Sequence, residues 1–188
     1  MEFNVEKTNI RDLLIITPEC FKDDRGFFIE SYRKDKFSEF GLDVEFLQDN
    51  HSRSSKNVVR GLHFQWEPLM GKLMRVTQGS AFLVAVDIRT GSPTFGLWYG
   101  IEASVENRKQ VYAPAGFARG FCVTSEFAEI QYKCTGLYSN KAESGILWND
   151  PEIGIKWPVE YPILSKKDES AQPLSKWALK AESKFFTY

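Results

Sequence analysis

From about residue 44 to residue 135 the chain alternates short apolar runs with turn residues, and helical periodicity is nearly absent. The pattern predicts strands at Asp43–Gln48, Val58–Gln65, Lys72–Gln78, Ala81–Ile88, Leu97–Ala103, Gln110–Tyr112, Gly120–Thr124 and Ala128–Thr135. Turn residues separate them, at Gln78-Gly79-Ser80, Thr90-Gly91-Ser92-Pro93, Glu106-Asn107 and Ala115-Gly116. Many short strands at this spacing predict an antiparallel sandwich or barrel. The run Ala81–Val86 is apolar without alternation, so both of its faces should be covered.

Helical signals are few. Lys34–Phe40 reads as a short helix stopped by Gly41, and Ser165-Lys166-Lys167-Asp168 as a capping box opening a C-terminal helix. The arm before residue 44 is too apolar to hang free. It should pack as strands, on this subunit or on a second one. No repeat or linker divides the chain. We therefore expect one domain over residues 1–188, with a barrel core at about 44–135, an N-terminal arm at 1–43 and a C-terminal segment at 136–188.

Composition narrows the chemistry. The 188 residues are 43% hydrophobic and 14% aromatic, which suits strands and flat binding surfaces. Lysine and arginine (24) nearly cancel aspartate and glutamate (25), leaving a net charge of −1. That balance provides no field for nucleic acid, so an anionic ligand must be held by local cations. Cys20, Cys122 and Cys134 form no even disulfide framework and no CxxC pair, which points to a reducing cytoplasm. No apolar run approaches the length of a membrane span, and the N-terminus carries no signal-peptide pattern. GxGxxG, GxxxxGK[ST], GxSxG and HExxH are all absent, which removes the main support for dinucleotide, nucleotide-triphosphate and hydrolase readings.

The chain has only two histidines, His51 and His63, too few to fill the usual imidazole-rich metal site of a β-barrel, so no metal is expected. His63 lies in the predicted strand Val58–Gln65, where it is either a general base or a satisfied histidine. Arg60 and His63 are three apart and would face opposite sides of a regular strand, unless Gly61 makes a bulge that re-aims one. Tyr132 shares its parity with Ile130 and Cys134 and should face inward, as a core tyrosine or as a proton donor. Lys72 shares parity with Met74 and Val76. Its ammonium either supports an oxyanion or snorkels to solvent. Asp168 is a helix-capping carboxylate or the partner that orients a histidine. The polar run Gln48-Asp49-Asn50-His51-Ser52-Arg53-Ser54 suits a loop, or a site reading a polar ligand.

Taken together, these segments resemble the dTDP-4-dehydrorhamnose 3,5-epimerase family. The matching runs include Asp24-Arg25-Gly26-Phe27-Phe28, Val59-Arg60-Gly61-Leu62-His63-Phe64-Gln65, Gly71-Lys72-Leu73-Met74-Arg75-Val76, Ser92-Pro93-Thr94-Phe95-Gly96, Gln131-Tyr132-Lys133 and Trp148-Asn149-Asp150-Pro151. They keep the family's order from about residue 13 to residue 174.

The resemblance implies an all-β, cupin-type double-stranded β-barrel, or jelly roll, with a strand arm before it and short helices after it. It implies a cytoplasmic homodimer exchanging N-terminal strands, with no metal or other cofactor. The implied substrate is a dTDP-4-keto-6-deoxyhexose, epimerised at C3 and C5 through an enolate for dTDP-L-rhamnose and surface polysaccharide. By the same resemblance His63 is the base and Asp168 steers it. Lys72 supports the C4 oxyanion, and Tyr132 returns the proton, a role Tyr138 could also fill. Arg25, Glu30, Gln48, Asn50, Arg60, Glu143 and Lys167 match positions that hold the nucleotide and sugar, and Tyr138 matches an aromatic that stacks on thymine.

One position departs from the pattern. Where the family usually reads Gly-Phe-Ala-His-Gly-Phe, this chain reads Gly116-Phe117-Ala118-Arg119-Gly120-Phe121. Arginine is bulkier, permanently charged and unable to accept a hydrogen bond. A contact with diphosphate or with keto-sugar oxygens is expected of it. The alternatives are a mono-epimerase or ketoisomerase of a related nucleotide sugar, a non-catalytic sugar-binding cupin, and a metal-dependent cupin.

Overall fold

The computed structural model describes all 188 residues. Thirteen strands lie in order along the chain: β1 (Phe3–Lys7), β2 (Leu14–Pro18), β3 (Phe21–Asp23), β4 (Gly26–Phe28), β5 (Gln48–Ser55), β6 (Val59–Gln65), β7 (Lys72–Gln78), β8 (Ser80–Asp87), β9 (Trp98–Ser104), β10 (Gln110–Ala113), β11 (Phe117–Val123), β12 (Phe127–Cys134) and β13 (Glu143–Gly145). Helix α1 (Lys34–Glu39) follows β4, while α2 (Lys166–Glu169), α3 (Leu174–Ala178) and a 3-10 turn at Ala181–Phe185 close the chain. No helix is long and apolar enough to cross a membrane.

Six strands form one sheet in the order β1-β2-β10-β7-β12-β5, and five form another in the order β13-β6-β11-β8-β9. Every pairing within them is antiparallel. The sheets face each other as a jelly roll without closing into one continuous hydrogen-bonded cylinder. The main core lies between them. Ile15, Met74, Val76, Val111 and Ile130 from the first sheet meet Leu83, Ala85, Phe117, Phe121 and Val123 from the second. Inward residues alternate along the regular stretches of the strands, as the pleat requires, and the register shifts on β6–β11 and β7–β12 interrupt it.

Each sheet also has a covered outer face. Leu62, Phe64, Val84 and Val86 pack under Ile146, Leu174, Trp177 and Phe186 of the C-terminal segment. Ile16, Leu73 and Tyr112 pack under Phe37 and Leu42 around α1. This explains the unalternated run in β8, since Leu83 and Ala85 face one core while Val84 and Val86 face another.

The sequence reading placed a strand at Asp43–Gln48 and a loop after it. The structure reverses this, because the strand is β5 and runs through the polar stretch. Its inward residues, Gln48, Asn50, Ser52 and Ser54, are polar because they face a site rather than a core. Hydrophobic periodicity is blind to an alternation of this kind. The arm also proves divided. Strands β1 and β2 extend this chain's own six-stranded sheet, whereas β3 and β4 form a separate hairpin with exposed Phe21, Phe27 and Phe28.

On β6 the expected bulge is present. His63 stands opposite Arg119 and Arg60 opposite Phe121, so three steps on β6 match two on β11. The extra residue turns Arg60 to the same inner face as His63. Gly61 has φ +132°, and a Cβ there would lie 2.6 Å from the Gly120 Cα. Gly61→Ala should therefore cost roughly 3 kcal/mol or more of stability. Gly91→Ala, at φ +82° with open space around it, should cost about 1 kcal/mol. Urea unfolding of the two variants checks this, and equal losses would refute a close-contact origin.

Candidate active site

One end of the space between the sheets is apolar and the other is not. At the polar end a cavity is lined by Ser52, Arg60, His63, Lys72, Met74, Arg119, Gly120, Phe121 and Tyr132. Lys72 on β7 and Tyr132 on β12 reach it from the six-stranded sheet, and His63 on β6 with Arg119 on β11 from the five-stranded sheet. A larger cleft of about 480 Å³ lies between the N-terminal arm and the α1 region, against about 120 Å³ here. Size is a poor guide in this case. The larger cleft has no histidine, and its Asp12 is bound to Arg89.

His63 Nε2 lies 2.5 Å from Asp168 Oδ1. Asp168 sits in α2, whose N-cap is Ser165. Ser165 Oγ accepts the Asp168 backbone N–H at 3.2 Å and donates to Asp168 Oδ2 at 2.8 Å. The two readings of Asp168 thus coincide, because a capping position delivers the carboxylate to the histidine. Burial alone would push that carboxyl up. The His63 hydrogen bond and charge, with the Ser165 bond, outweigh burial and hold it below its ordinary value. An ionised carboxylate only accepts, so the Nε2–H donates to Asp168, and Nδ1 is the ring nitrogen that the carboxylate does not engage.

Lys72 faces the interior, with its Nζ 4.9 Å from the centre of the Tyr132 ring. Burial, then the charge of Arg119, lower its pKa from 10.5 to about 8. Tyr132 pairs across strands with Asn50 and Met74. Burial first, then Cys134, raise its pKa, so the hydroxyl stays protonated and able to donate. Arg60 is fixed by a 3.0 Å bond from Nε to Ser54 Oγ. Arg119 is 3% exposed, and burial lowers its pKa from 12.5 to about 10. The residues can therefore abstract a proton from one side, return one from the other and steady an oxyanion between.

Gln48, Asn50, Tyr138, Glu143 and Lys167 are not among the cavity's lining residues but form a polar rim beside it, joined through the Asn50–Tyr132 strand pair. Gln48 donates to Asn50 at 2.9 Å and accepts the Tyr138 backbone N–H at 2.9 Å. The Tyr138 hydroxyl donates to Glu143 at 2.9 Å, and Lys167 pairs with Glu143 at 2.7 Å. Burial would raise the Glu143 carboxyl, but the Lys167 and Tyr138 bonds bring it below its ordinary value. Two anticipated residues stand apart. Arg25 is on the β3–β4 hairpin, bonded to Asp23, and the buried Glu30 Oε2 lies 3.7 Å from Arg33 Nη1 without a hydrogen bond. Neither lines this chain's cavity.

Sequence reasoning did not single out Ser52, Met74, Phe121 or Gln65 as site residues, and it found Ser165 only as a helix cap. Gln65 shares parity with His63, and its amide holds the Pro68 and Leu137 carbonyls and the Ser139 N–H. Ser52 had a usable signal in its parity with Gln48 and Asn50.

A family model described as dTDP-4-dehydrorhamnose 3,5-epimerase matches residues 7–176. The dTDP-4-dehydrorhamnose 3,5-epimerase of Shigella flexneri is 54% identical over 171 residues, covering 90% of this chain and 94% of that protein. The crystal structure of dTDP-6-deoxy-D-glucose-3,5-epimerase from Legionella pneumophila Philadelphia 1, in complex with dTDP-4-keto-L-rhamnose, matches with a TM-score of 0.92. It is 45% identical and covers 97% of each chain. A dTDP-4-dehydrorhamnose 3-epimerase of Streptomyces niveus is 40% identical over 158 residues, covering 83% of this chain and 76% of that one.

Burying the Lys72 cation has a cost that titration exposes. Its folded pKa of about 8 lies below the ordinary 10.5, so the unfolded chain holds this proton more tightly. The penalty is complete below about pH 8 and fades as pH rises toward 10.5. Lys72→Met should therefore stabilise the protein at pH 7 by on the order of 2–3 kcal/mol, with the gain shrinking at higher pH. Urea unfolding at pH 7 and pH 9.5 checks this, and a destabilised Lys72→Met at pH 7 would contradict it.

Proposed function

The chain belongs to the dTDP-4-dehydrorhamnose 3,5-epimerase family, and on that premise we propose that it converts dTDP-4-keto-6-deoxy-D-glucose to dTDP-4-keto-L-rhamnose. The observation that carries the reading is the His63–Asp168 pair facing Tyr132 across one cavity, with Lys72 beside the ring. His63 Nδ1 takes the proton from C3 or C5, each of which adjoins the C4 ketone. The electron pair moves onto the C4 oxygen, giving an enolate held by Lys72. Tyr132 returns a proton to the opposite face, which inverts the carbon. The acid and base come from opposite sheets, as inversion requires.

The nucleotide occupies the rim, where the exposed Tyr138 ring offers a stacking surface for thymine. Gln48, Asn50, Arg60, Glu143 and Lys167 hold the sugar and diphosphate, and Arg119 reaches the sugar end. The reaction needs no metal or other cofactor, because the enolate's charge is met by side chains. The product serves dTDP-L-rhamnose and surface-polysaccharide synthesis. Three unpaired cysteines suit the cytoplasm as its compartment.

A homodimer completes the site. The β3–β4 hairpin carries Arg25 and an exposed aromatic patch, and Glu30 has a buried oxygen with no hydrogen bond, only a 3.7 Å ion pair to Arg33. Both features fit an arm that reaches the cavity of a second copy. The other reading is epimerisation at a single carbon, favoured by Arg119 standing where the family usually has histidine.

Incubation with dTDP-4-keto-6-deoxy-D-glucose in D₂O, followed by NMR, tests the assignment. Deuterium should enter at C3 and C5, and His63→Ala should abolish exchange at both. Exchange at one carbon alone would establish the mono-epimerase instead, and no exchange with nucleotide bound would remove this substrate. For the dimer, Arg25→Ala and His63→Ala chains should each be inactive alone. Mixed, they should recover activity, since each hybrid dimer has one intact site. No recovery would place Arg25 in its own chain's site, and an Arg25→Ala chain active by itself would place it in none.

A further inference from the structure

Two arginines are deeply buried in this protein, and their surroundings differ. Arg89 is 7% exposed, and its nitrogens are spread over Asp87, Asp12 and the Arg11 carbonyl. Arg119 is 3% exposed and has no carboxylate partner. Its Nη1 donates to the Met70 carbonyl at 2.9 Å and reaches the Ala113 carbonyl at 3.4 Å. Its Nε and Nη2 are buried without any partner. Buried guanidinium donors are normally satisfied, and a pair left free is costly unless a ligand takes them. Arg119 stands directly across the strand pair from His63, on the wall of the same cavity.

We propose that Arg119, on the cavity wall, serves the C4 oxygen of the keto-sugar together with Lys72, as a second cationic group held against the enolate. The inference rests on the epimerase reading above. Depth selects the sugar oxygen over the diphosphate. The nucleotide enters by way of the rim, where Tyr138 and the Lys167 side chain are more than half exposed. Arg119 is buried and lines the cavity with Lys72. Two desolvated cations without a counter-ion form a place that only developing negative charge satisfies. Whichever carbon loses its proton to His63, the electron pair arrives on this one oxygen, so a single anchor serves both abstractions. The proton goes to His63 and a different one comes from Tyr132, so Arg119 itself neither gains nor loses a proton.

Its charge also bears on Lys72, whose lowered pKa owes its second-largest part to Arg119. The alkaline fall in rate, as Lys72 loses its proton, is therefore set in part by Arg119.

Arg119→Gln and Arg119→Lys test the proposal through exchange at C3 and C5, kcat, KM, pH profile and dTDP affinity. Arg119→Gln should lower kcat about 100-fold, the usual loss for one oxyanion donor, with KM and dTDP affinity changed less than about three-fold. Its alkaline limb should move to higher pH. Arg119→Lys keeps the charge but loses the fork, so kcat should fall about ten-fold with the limb unmoved. Unchanged kcat in Arg119→Gln, or weakened dTDP binding with kcat intact, would overturn the proposal; the second result would place Arg119 on the diphosphate. Should Arg119→Gln fail to fold, Arg119→Lys decides, and wild-type kcat in it would overturn the proposal. A wild-type protein that exchanges neither carbon would instead overturn the epimerase reading beneath it.

Discussion

The cavity depends on two backbones passing closer than any side chain would allow. Gly61 on β6 and Gly120 on β11 meet where a Cβ on the first would come within 2.6 Å of the second. A Cβ on Gly120 would in turn lie 2.7 Å from the Arg60 carbonyl. At this crossing β6 gains one residue relative to β11, and the pleat changes phase. Without that change Arg60 would point away from the cavity His63 faces, toward the aromatic layer around Trp177. With it, Arg60, His63 and Arg119 share one wall, while Leu62 and Phe64 still fill the outer core.

The wall so formed is electrostatically unfinished. Lys72 and Arg119 are held in low dielectric near each other, and the acidic groups of the site are committed elsewhere. Asp168 is bound to His63 and Ser165, and Glu143 to Lys167 and Tyr138. Holding that positive charge without a carboxylate partner costs the fold stability. The apolar end of the same inter-sheet space carries the stability that permits this. There Ile15, Leu83, Val111, Phe117 and Ile130 are buried almost completely.

The segments flanking the sheets supply position. The C-terminal chain covers the outer face of β6, β8 and β11 with Trp177 and Phe186, and on its way presents Asp168 from a four-residue helix. So short a helix has little stability of its own; the Ser165 cap and the His63 bond hold it. On the opposite side α1 seals the outer face of the six-stranded sheet with Phe37.

The sequence by itself determined the strand class, most strand positions, the inward parity of Lys72 and Tyr132, the Ser165 cap and the glycine that permits a bulge. These are local matters of period, cap and φ, and a linear pattern records them. Its errors fell where function overrides pattern. Gln48, Asn50, Ser52 and Ser54 read as loop because their inner face serves a site, so no apolar alternation marks the strand. The tertiary structure alone decided that the Ser165-capped turn brings Asp168 to His63, 105 positions away. It alone showed that Arg119 is buried with a free edge, while Arg25 and Glu30 lie outside this chain's cavity. The reason is physical: burial, desolvation and unpaired donors come from which strands become neighbours. A period of two along one strand says nothing of what stands across from it.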